Sequence, residues 1–247
     1  MRLEPVQRRS LPDAVFEQLT AEIVAGGVPP GDALPAERAL TEQLGVNRQA
    51  VREALQRMHL LGLVDIRHGE PTRVRDFRSS ASPELLTWLI VRPDGSIDPA
   101  VVRSVFELRA TVGADAARLC AARALHDVVT AISEVSDEMA QAARADDEVE
   151  LFRLSERFWS LIIDGADNVA YQLLLNVLER VYAPLSVDAI AALVSDELRD
   201  TAGHRRVAAA IAAGNERQAE TAARKLLSRG AAAVVEVLSD LKHGRVK

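Results

Sequence analysis

The first 75 residues predict three helices followed by a β-hairpin, and this order constrains the fold more than any other feature. Apolar side chains recur at helical spacing in the first three segments, whereas the last two are short and β-prone. The helices are predicted over 10–25, 35–44 and 48–61, and the strands over Leu63–Arg67 and Thr72–Arg75. We expect a winged helix-turn-helix, because its elements follow one another in this order.

Residues that start and stop helices mark the ends of these segments. Ser10 followed by Asp13, with Pro12 in the first turn, is a helix start. Gly45 closes the second helix, and Asn47 can cap the third. The turn between these two helices is therefore short, as a helix-turn-helix requires.

Helical periodicity dominates the rest of the chain, and no further strand is predicted. A polar linker over 76–82 precedes this part. The predicted helices are 83–91, 99–124, 127–144, 147–163, 168–183, 193–213 and 215–239. About seven such helices form a bundle of domain size. We expect a mostly α protein with a winged helix-turn-helix domain over 1–78 and an all-helical domain over 79–247.

Composition excludes several classes of protein. With 48% hydrophobic and 27% charged residues, the 247-residue chain is typical of a globular protein. No run approaches the ~18 apolar residues that span a bilayer, and the N-terminus lacks the apolar core of a signal, so we expect a cytoplasmic protein that makes no membrane contact. The single cysteine, Cys120, excludes an intrachain disulfide and is predicted to be a small buried side chain.

The sequence motifs of common enzyme classes are missing. There is no phosphate-binding loop, no dinucleotide-binding glycine motif, no nucleophile-elbow motif and no zinc-protease motif, and the five histidines lack ligand spacing. We therefore expect neither enzymatic activity nor a cofactor.

The charge is unevenly distributed along the chain. The formal net charge is −6, but residues 1–78 hold 11 Arg and 11 acidic residues, so their net charge is zero. Within 46–78 alone, 7 Arg stand against 4 acidic residues. A small basic face on an acidic body is compatible with DNA binding.

One face at the start of the third helix carries the side chains best suited to reading DNA. The opposite face is an apolar stripe that packs on the second helix. The outward face presents Asn47, Arg48, Gln49 and Arg52. Arginine can donate two hydrogen bonds to guanine, glutamine can pair with adenine, and a helix N-terminus attracts phosphate. The alternative interpretation is a solvated charged face on an ordinary helix hairpin.

The segment PPGDALPAERALTEQLGVNRQAVREALQRMHLLGLVDIRHGEPTRV resembles the DNA-binding domain of the GntR family of bacterial transcription regulators. The resemblance covers residues 11–75, and HGEPTRV is similar to the FadR branch of that family. It implies phosphate or base contacts from Arg38, Asn47, Arg48, Gln49 and Arg52, with His68 and Gly69 entering the minor groove. Glu70 stands where FadR-like wings carry a lysine that contacts a base, and we expect this change to weaken or redirect the wing contact.

The helical part resembles the effector domain of the FadR branch over about 83–240. Most members hold a divalent metal with Asp and His ligands, whose positions are occupied here by Ser155, Trp159, His204 and Leu226. Three of these four residues cannot bind a metal, so we expect no metal site. This loss disfavours an alternative in which the effector is a small carboxylic acid bound through the metal.

An apolar interior in this bundle suits an amphiphilic effector, and the resemblance to the FadR branch implies a long-chain fatty acid or its CoA thioester. The candidate effector-binding residues are Arg109, Phe158, Trp159, Ile162, Tyr182, His204 and Leu226. The alternative is a filled core without a cavity. A buried Arg109 would need a carboxylate or a ligand anion nearby, because an unpaired guanidinium is costly to bury.

Together the residue patterns and the resemblance predict a transcription regulator, either a repressor or an activator, that binds double-stranded DNA under effector control in lipid metabolism. We expect a homodimer on a palindromic operator, because two recognition helices roughly double the contacts that one offers. A rival from another class is a ligand-binding or enzymatic helical bundle whose winged helix makes only protein contacts.

Overall fold

The structure, a computed structural model, describes residues 10–91, 96–182 and 195–228. The chain divides into two compact units between Ser96 and Ile97. This division falls later in the chain than the predicted boundary between 78 and 79. The physical reason is packing, since Leu85 belongs to the core of the N-terminal unit and Trp88 is partly buried against it.

The N-terminal unit is a winged helix-turn-helix, as the sequence predicts. Its elements are α1 (Leu11–Val24), α2 (Glu37–Leu44), α3 (Arg48–Leu60), β1 (Val64–Asp65) and β2 (Arg73–Val74). Ser10 accepts a hydrogen bond from the backbone N–H of Asp13 and caps α1. Asn47 caps α3 through the N–H of Ala50 at 2.8 Å. Gly45 ends α2 with a φ of 63°, a left-handed conformation that glycine adopts without steric cost.

Besides the two strands of the wing, a third backbone segment pairs with β2, which the sequence did not predict. β1 and β2 pair antiparallel, with Val64 opposite Val74. Residues 31–34, which the sequence marks only as a turn-rich connector, run along the other side of β2. The N–H of Leu34 donates to the carbonyl of Thr72 at 2.8 Å, and the N–H of Val74 donates to that of Asp32 at 2.9 Å. The connector therefore anchors the wing against the body of the unit.

The segment after the wing is helical and packs on the N-terminal core. It contains α4 (Phe77–Ser80), within the predicted linker, then a 3₁₀ turn (Pro83–Leu85) and α5 (Leu86–Leu89). The rings of Trp88 and Phe16 meet edge to face at 4.8 Å. The guanidinium of Arg57 lies 4.3 Å from the ring centroid of Phe16 and 4.4 Å from that of Trp88. Arg57 also donates to Asp13 at 2.7 Å, so this segment is tied to both α1 and α3.

The C-terminal unit is helical throughout its described residues. Its elements are α6 (Pro99–Arg123), α7 (His126–Arg144), α8 (Glu148–Gly165), α9 (Val169–Tyr182), α10 (described over 195–199), α11 (Thr201–Ala212) and α12 (described over 216–228). The single helix expected over 193–213 is instead two helices. Asp200 interrupts it, because its carboxylate accepts the N–H of Gly203 at 2.8 Å and caps α11.

Small and apolar side chains hold these helices together. Cys120 is buried, as predicted, and burial raises the pKa of its thiol to about 12. A side chain at Gly165 would meet the sulfur of Cys120 at 2.7 Å, so α6 and α8 can approach this closely only with glycine there.

Candidate nucleic-acid interface and helical-domain cavity

The N-terminal end of α3 presents polar side chains to solvent and buries its apolar stripe. Ala50, Val51, Ala54 and Leu55 are each at most 3% exposed. The outward side chains that the sequence singled out, Asn47, Arg48, Gln49 and Arg52, are all exposed. The structure therefore brings these four residues onto one accessible face, with the side chain of Asn47 occupied as the cap of α3.

Acidic residues contact the basic side chains of this face. Arg38, predicted to contact DNA from α2, donates to Glu42 at 3.0 Å. Gln49 donates to Glu53 at 2.6 Å. Glu37 reaches across from α2, accepting from the Nε of Arg48 at 3.0 Å and lying 3.9 Å from the Nε of Arg52. Sequence analysis missed Glu37, whose only signal was its place in the first turn of α2.

The tip of the wing is exposed on the same unit. His68, Gly69 and Glu70 are all accessible to solvent. Gly69 has a φ of 78°, which lets the chain turn sharply between the strands. Glu70 carries an exposed carboxylate two residues after His68, at the position where the resemblance implies a lysine that contacts DNA.

A cavity of about 100 Å³ opens in the C-terminal unit. Side chains of α6, α8, α9, α10 and α12 form its walls, and most of its lining is apolar. Its polar lining consists of Arg109, Ser155, Glu156, Tyr171, Glu179 and Glu197. Tyr171 also donates to Asp115 at 2.9 Å, which fixes the N-terminal part of α9 to α6.

Arg109 is paired with a buried carboxylate inside the protein. Its guanidinium donates to both oxygens of Glu197, at 2.5 and 2.7 Å. Glu197 is fully buried, and the indole N–H of Trp159 donates to it at 3.2 Å. The carboxylate that a buried arginine needs is thus supplied by the chain itself, from a residue that sequence analysis did not select.

The remaining predicted effector residues lie in different places. Trp159 lines the cavity with Arg109, whereas Phe158, Ile162 and Leu226 are packed in the core and are absent from the cavity lining. The side chain of Tyr182 lies outside the described residues. These positions therefore divide between a cavity wall and a filled core.

His204 is fully buried beside Phe158, with ring centroids 5.2 Å apart. Its Nδ1 contacts the carbonyl of Asp200 at 3.0 Å, and its Nε2 has no hydrogen-bond partner among the described residues. Burial lowers the pKa of His204, so the neutral imidazole is favoured.

The residues around His204 do not fit the metal that the fold family implies. Ser155, Trp159 and Leu226 stand at the other three ligand positions, and an indole and an isobutyl group have no donor atom for a metal. Within the described ranges, no group of three or more His, Cys, Asp or Glu residues could hold a metal ion.

Negative charge prevails on the cavity lining. Glu197 neutralises Arg109, and among the described residues of the lining there is no further cation to match Glu156 and Glu179. Burial, together with the neighbouring charge of Glu179, raises the pKa of Glu156. The cavity therefore favours an apolar occupant and disfavours a bare anion near these two carboxylates.

Two known protein families match this chain. Residues 11–74 match the family described as "Bacterial regulatory proteins, gntR family", and residues 104–229 match the FCD domain. The chain belongs to the GntR family. It is a DNA-binding transcription regulator with a C-terminal FCD effector-binding domain, and the resemblance seen in the sequence is confirmed.

Full-length and partial relatives support the same assignment. The chain is 36% identical to the HTH-type transcriptional regulator Mce2R of Mycobacterium tuberculosis, over 96% of this chain and 97% of that protein. It is 35% identical to the "Fatty acid metabolism regulator protein" of Edwardsiella ictaluri, over 67% of this chain and 66% of that protein.

Solved structures share the fold. Lar of Listeria monocytogenes aligns with a TM-score of 0.56 at 16% identity, over 94% of this chain and 99% of its own. McbR/YncC of E. coli aligns with a TM-score of 0.52 at 17% identity, over 94% of this chain and 100% of its own. Over the described parts of the chain, no helix combines the length and apolar character needed to cross a membrane.

Proposed function

We propose that this GntR-family regulator binds a palindromic operator as a homodimer and releases it when an acyl chain enters the helical-domain cavity. The exposed group of Arg48, Gln49 and Arg52 on a helix whose opposite face is buried carries the DNA-binding part. This arrangement allows one face of α3 to lie in a major groove while the opposite face stays packed against the rest of the N-terminal unit.

Arg48, Gln49 and Arg52 are proposed to read bases, while Arg38 and the N-terminus of α3 contact phosphate. His68 and Gly69 are proposed to enter the adjacent minor groove from the wing. Two copies on a two-fold symmetric site double these contacts, and the separation of the two helices then fixes the half-site spacing.

The cavity and the relatives support an acyl-chain effector. Its lining is mostly apolar, and one group of relatives is named for the regulation of fatty acid metabolism. At about 100 Å³ the cavity is smaller than the roughly 300–1,000 Å³ of most ligand pockets. A long chain must therefore widen it, and a ligand that prefers the widened state shifts the protein toward that state.

The charges of the lining favour a CoA thioester over the free fatty acid. A thioester carbonyl is uncharged, whereas a carboxylate at the same position would face Glu156 and Glu179. Glu197 already neutralises the charge of Arg109 through two hydrogen bonds, so Arg109 offsets little of this repulsion.

The DNA-binding part is tested with Arg48→Ala and Arg52→Ala. Each should weaken binding to the selected operator by about 1–3 kcal/mol, the range for a good base contact. A fluorescence titration at fixed salt measures this, with circular dichroism to show that both variants fold. If both bind as tightly as the parent, α3 is not the recognition helix.

The effector part is tested by operator-release titrations with C4, C8, C12 and C16 acyl-CoAs and the matched free acids. Each buried methylene contributes about 0.8 kcal/mol, so release should strengthen steeply with chain length. The thioester should act at lower concentration than the acid of equal length. A flat response over the series would refute the acyl-chain effector and leave DNA binding intact.

A further inference from the structure

We infer that Glu37 is a positioning residue for sequence recognition, which sets Arg48 and Arg52 so that both present the ends of their guanidinium groups to the DNA. This inference rests on the proposed function, in which these two arginines enter the groove. Glu37 contacts the Nε of Arg48 at 3.0 Å and approaches the Nε of Arg52 to 3.9 Å. One carboxylate from α2 thus spans two arginines that lie one helical turn apart on α3.

Glu37 differs from the other acidic residues on this face. Glu42 pairs with Arg38 on the same helix, and both side chains are largely exposed, at 66% and 91%. Such pairs contribute little and rearrange freely in water. The side chain of Glu37 is only 34% exposed, against 74% for Arg48 and 62% for Arg52, and it joins α2 to α3. It also lies in the first turn of α2, where the helix dipole stabilises a carboxylate.

The atoms that Glu37 engages determine what the arginines can still offer. A guanidinium has a side edge that includes Nε and an end edge formed by the two Nη groups. Among the described residues, the Nε of Arg48 donates to Glu37, the Nε of Arg52 is the atom of that guanidinium nearest to Glu37, and no hydrogen bond from the Nη atoms of either arginine is present. The end edge therefore remains to donate two hydrogen bonds to the O6 and N7 atoms of guanine.

Positioning and simple electrostatics predict opposite effects when Glu37 changes. If the carboxylate only added negative charge near phosphates, its removal would strengthen binding to every duplex by the same factor. If it orients the arginines, its removal releases their rotamers, and binding to the preferred sequence falls relative to other sequences. The ratio of specific to non-specific affinity separates the two cases.

The test uses Glu37→Gln and Glu37→Asp in the full chain, with Glu42→Gln as the matched control. The probes are the duplex that the parent protein enriches most from a random library and a scrambled duplex of the same length. Glu37→Gln should lower the affinity ratio at least tenfold while scrambled-duplex affinity rises a few fold. Glu37→Asp keeps the charge but is one methylene shorter, so the ratio should fall while scrambled-duplex affinity stays unchanged.

Glu42→Gln should raise both affinities alike and leave their ratio within twofold of the parent value. Replacing guanine by 7-deazaguanine in the selected duplex should weaken the parent more than either Glu37 variant. An unchanged ratio of specific to non-specific affinity in both Glu37 variants would overturn the inference. If Glu37→Gln fails to fold, the ratio measured for Glu37→Asp provides the test by itself. If Arg48→Ala and Arg52→Ala also leave specific binding intact, the proposed function itself fails, which distinguishes the two failures.

Discussion

The buried ion pair between Arg109 and Glu197 predicts that replacing either residue lowers the free energy of unfolding, and by different amounts for the two residues. Replacing one member removes the ion pair that the other charge makes inside the protein, which costs about 3–5 kcal/mol for a buried pair. Glu197 is fully buried, whereas Arg109 is 18% exposed and can regain some hydration. We therefore expect Arg109→Met to cost about 5 kcal/mol and Glu197→Gln about 3 kcal/mol, near the two ends of that range.

The double variant Arg109→Met, Glu197→Leu should recover most of this loss. Two apolar side chains of similar volume need no hydration, and such replacements are often neutral or stabilising. A double-mutant cycle built from Arg109→Met, Glu197→Leu and this double variant should therefore be strongly non-additive. Since Trp159 donates to Glu197, the double variant still leaves one indole N–H unpaired, at a cost of about 1–3 kcal/mol.

Urea unfolding followed by tryptophan fluorescence measures these changes. The chain has two tryptophans, Trp88 and Trp159, so a Trp88→Phe background makes the signal report on the helical domain alone. Losses below about 1 kcal/mol in both single variants, the level of an exposed pair, would refute the reasoning. Unchanged stability in Arg109→Met combined with lost acyl-CoA response would instead assign Arg109 to the ligand.

Three further predictions concern the wing, a buried histidine and a glycine. Glu70→Lys should tighten operator binding at low salt, with a gain that shrinks as salt is raised, because it replaces a negative charge beside phosphates by a positive one; a titration series in salt measures it. The lowered pKa of His204 means that the unfolded chain takes up a proton more readily, so stability should fall as pH drops below about 6.5, and His204→Leu should remove this part of the pH dependence in urea unfolding. Gly62→Ala should lower the melting temperature, since Gly62 has a φ of 78° and an added Cβ would collide with the carbonyl of Ser80.

Local signals predicted the N-terminal fold well. The caps at Ser10 and Asn47 act within one helical turn, so their positions follow from sequence alone. Longer-range effects were missed. The pairing of residues 31–34 with β2 depends on tertiary contact, and a run rich in proline and glycine shows only that a turn is possible. The break at Asp200 was hidden because apolar residues keep helical spacing on both sides of it.

The candidate sites divide in the same way. The exposure of Arg48, Gln49 and Arg52 follows from the apolar stripe on the opposite face of α3. The contact between Arg109 and Glu197 joins residues 88 positions apart, and no pattern in the sequence indicates it. Periodicity assigned Phe158 and Trp159 to one interior, but it cannot tell which of two neighbouring buried side chains faces a cavity and which fills a core.

The packing of Leu85 and Trp88 onto the N-terminal core has a consequence for how such regulators are recombined. A gene fusion joined directly after residue 78 would transfer a DNA-binding domain that lacks Trp88, the residue whose indole stacks on Arg57. A junction after Ile90 would carry the winged helix together with Leu85 and Trp88, which pack against its core. The DNA-binding unit that can be exchanged between such regulators therefore extends beyond the winged helix as far as Ile90, and a new effector domain should be joined after that residue.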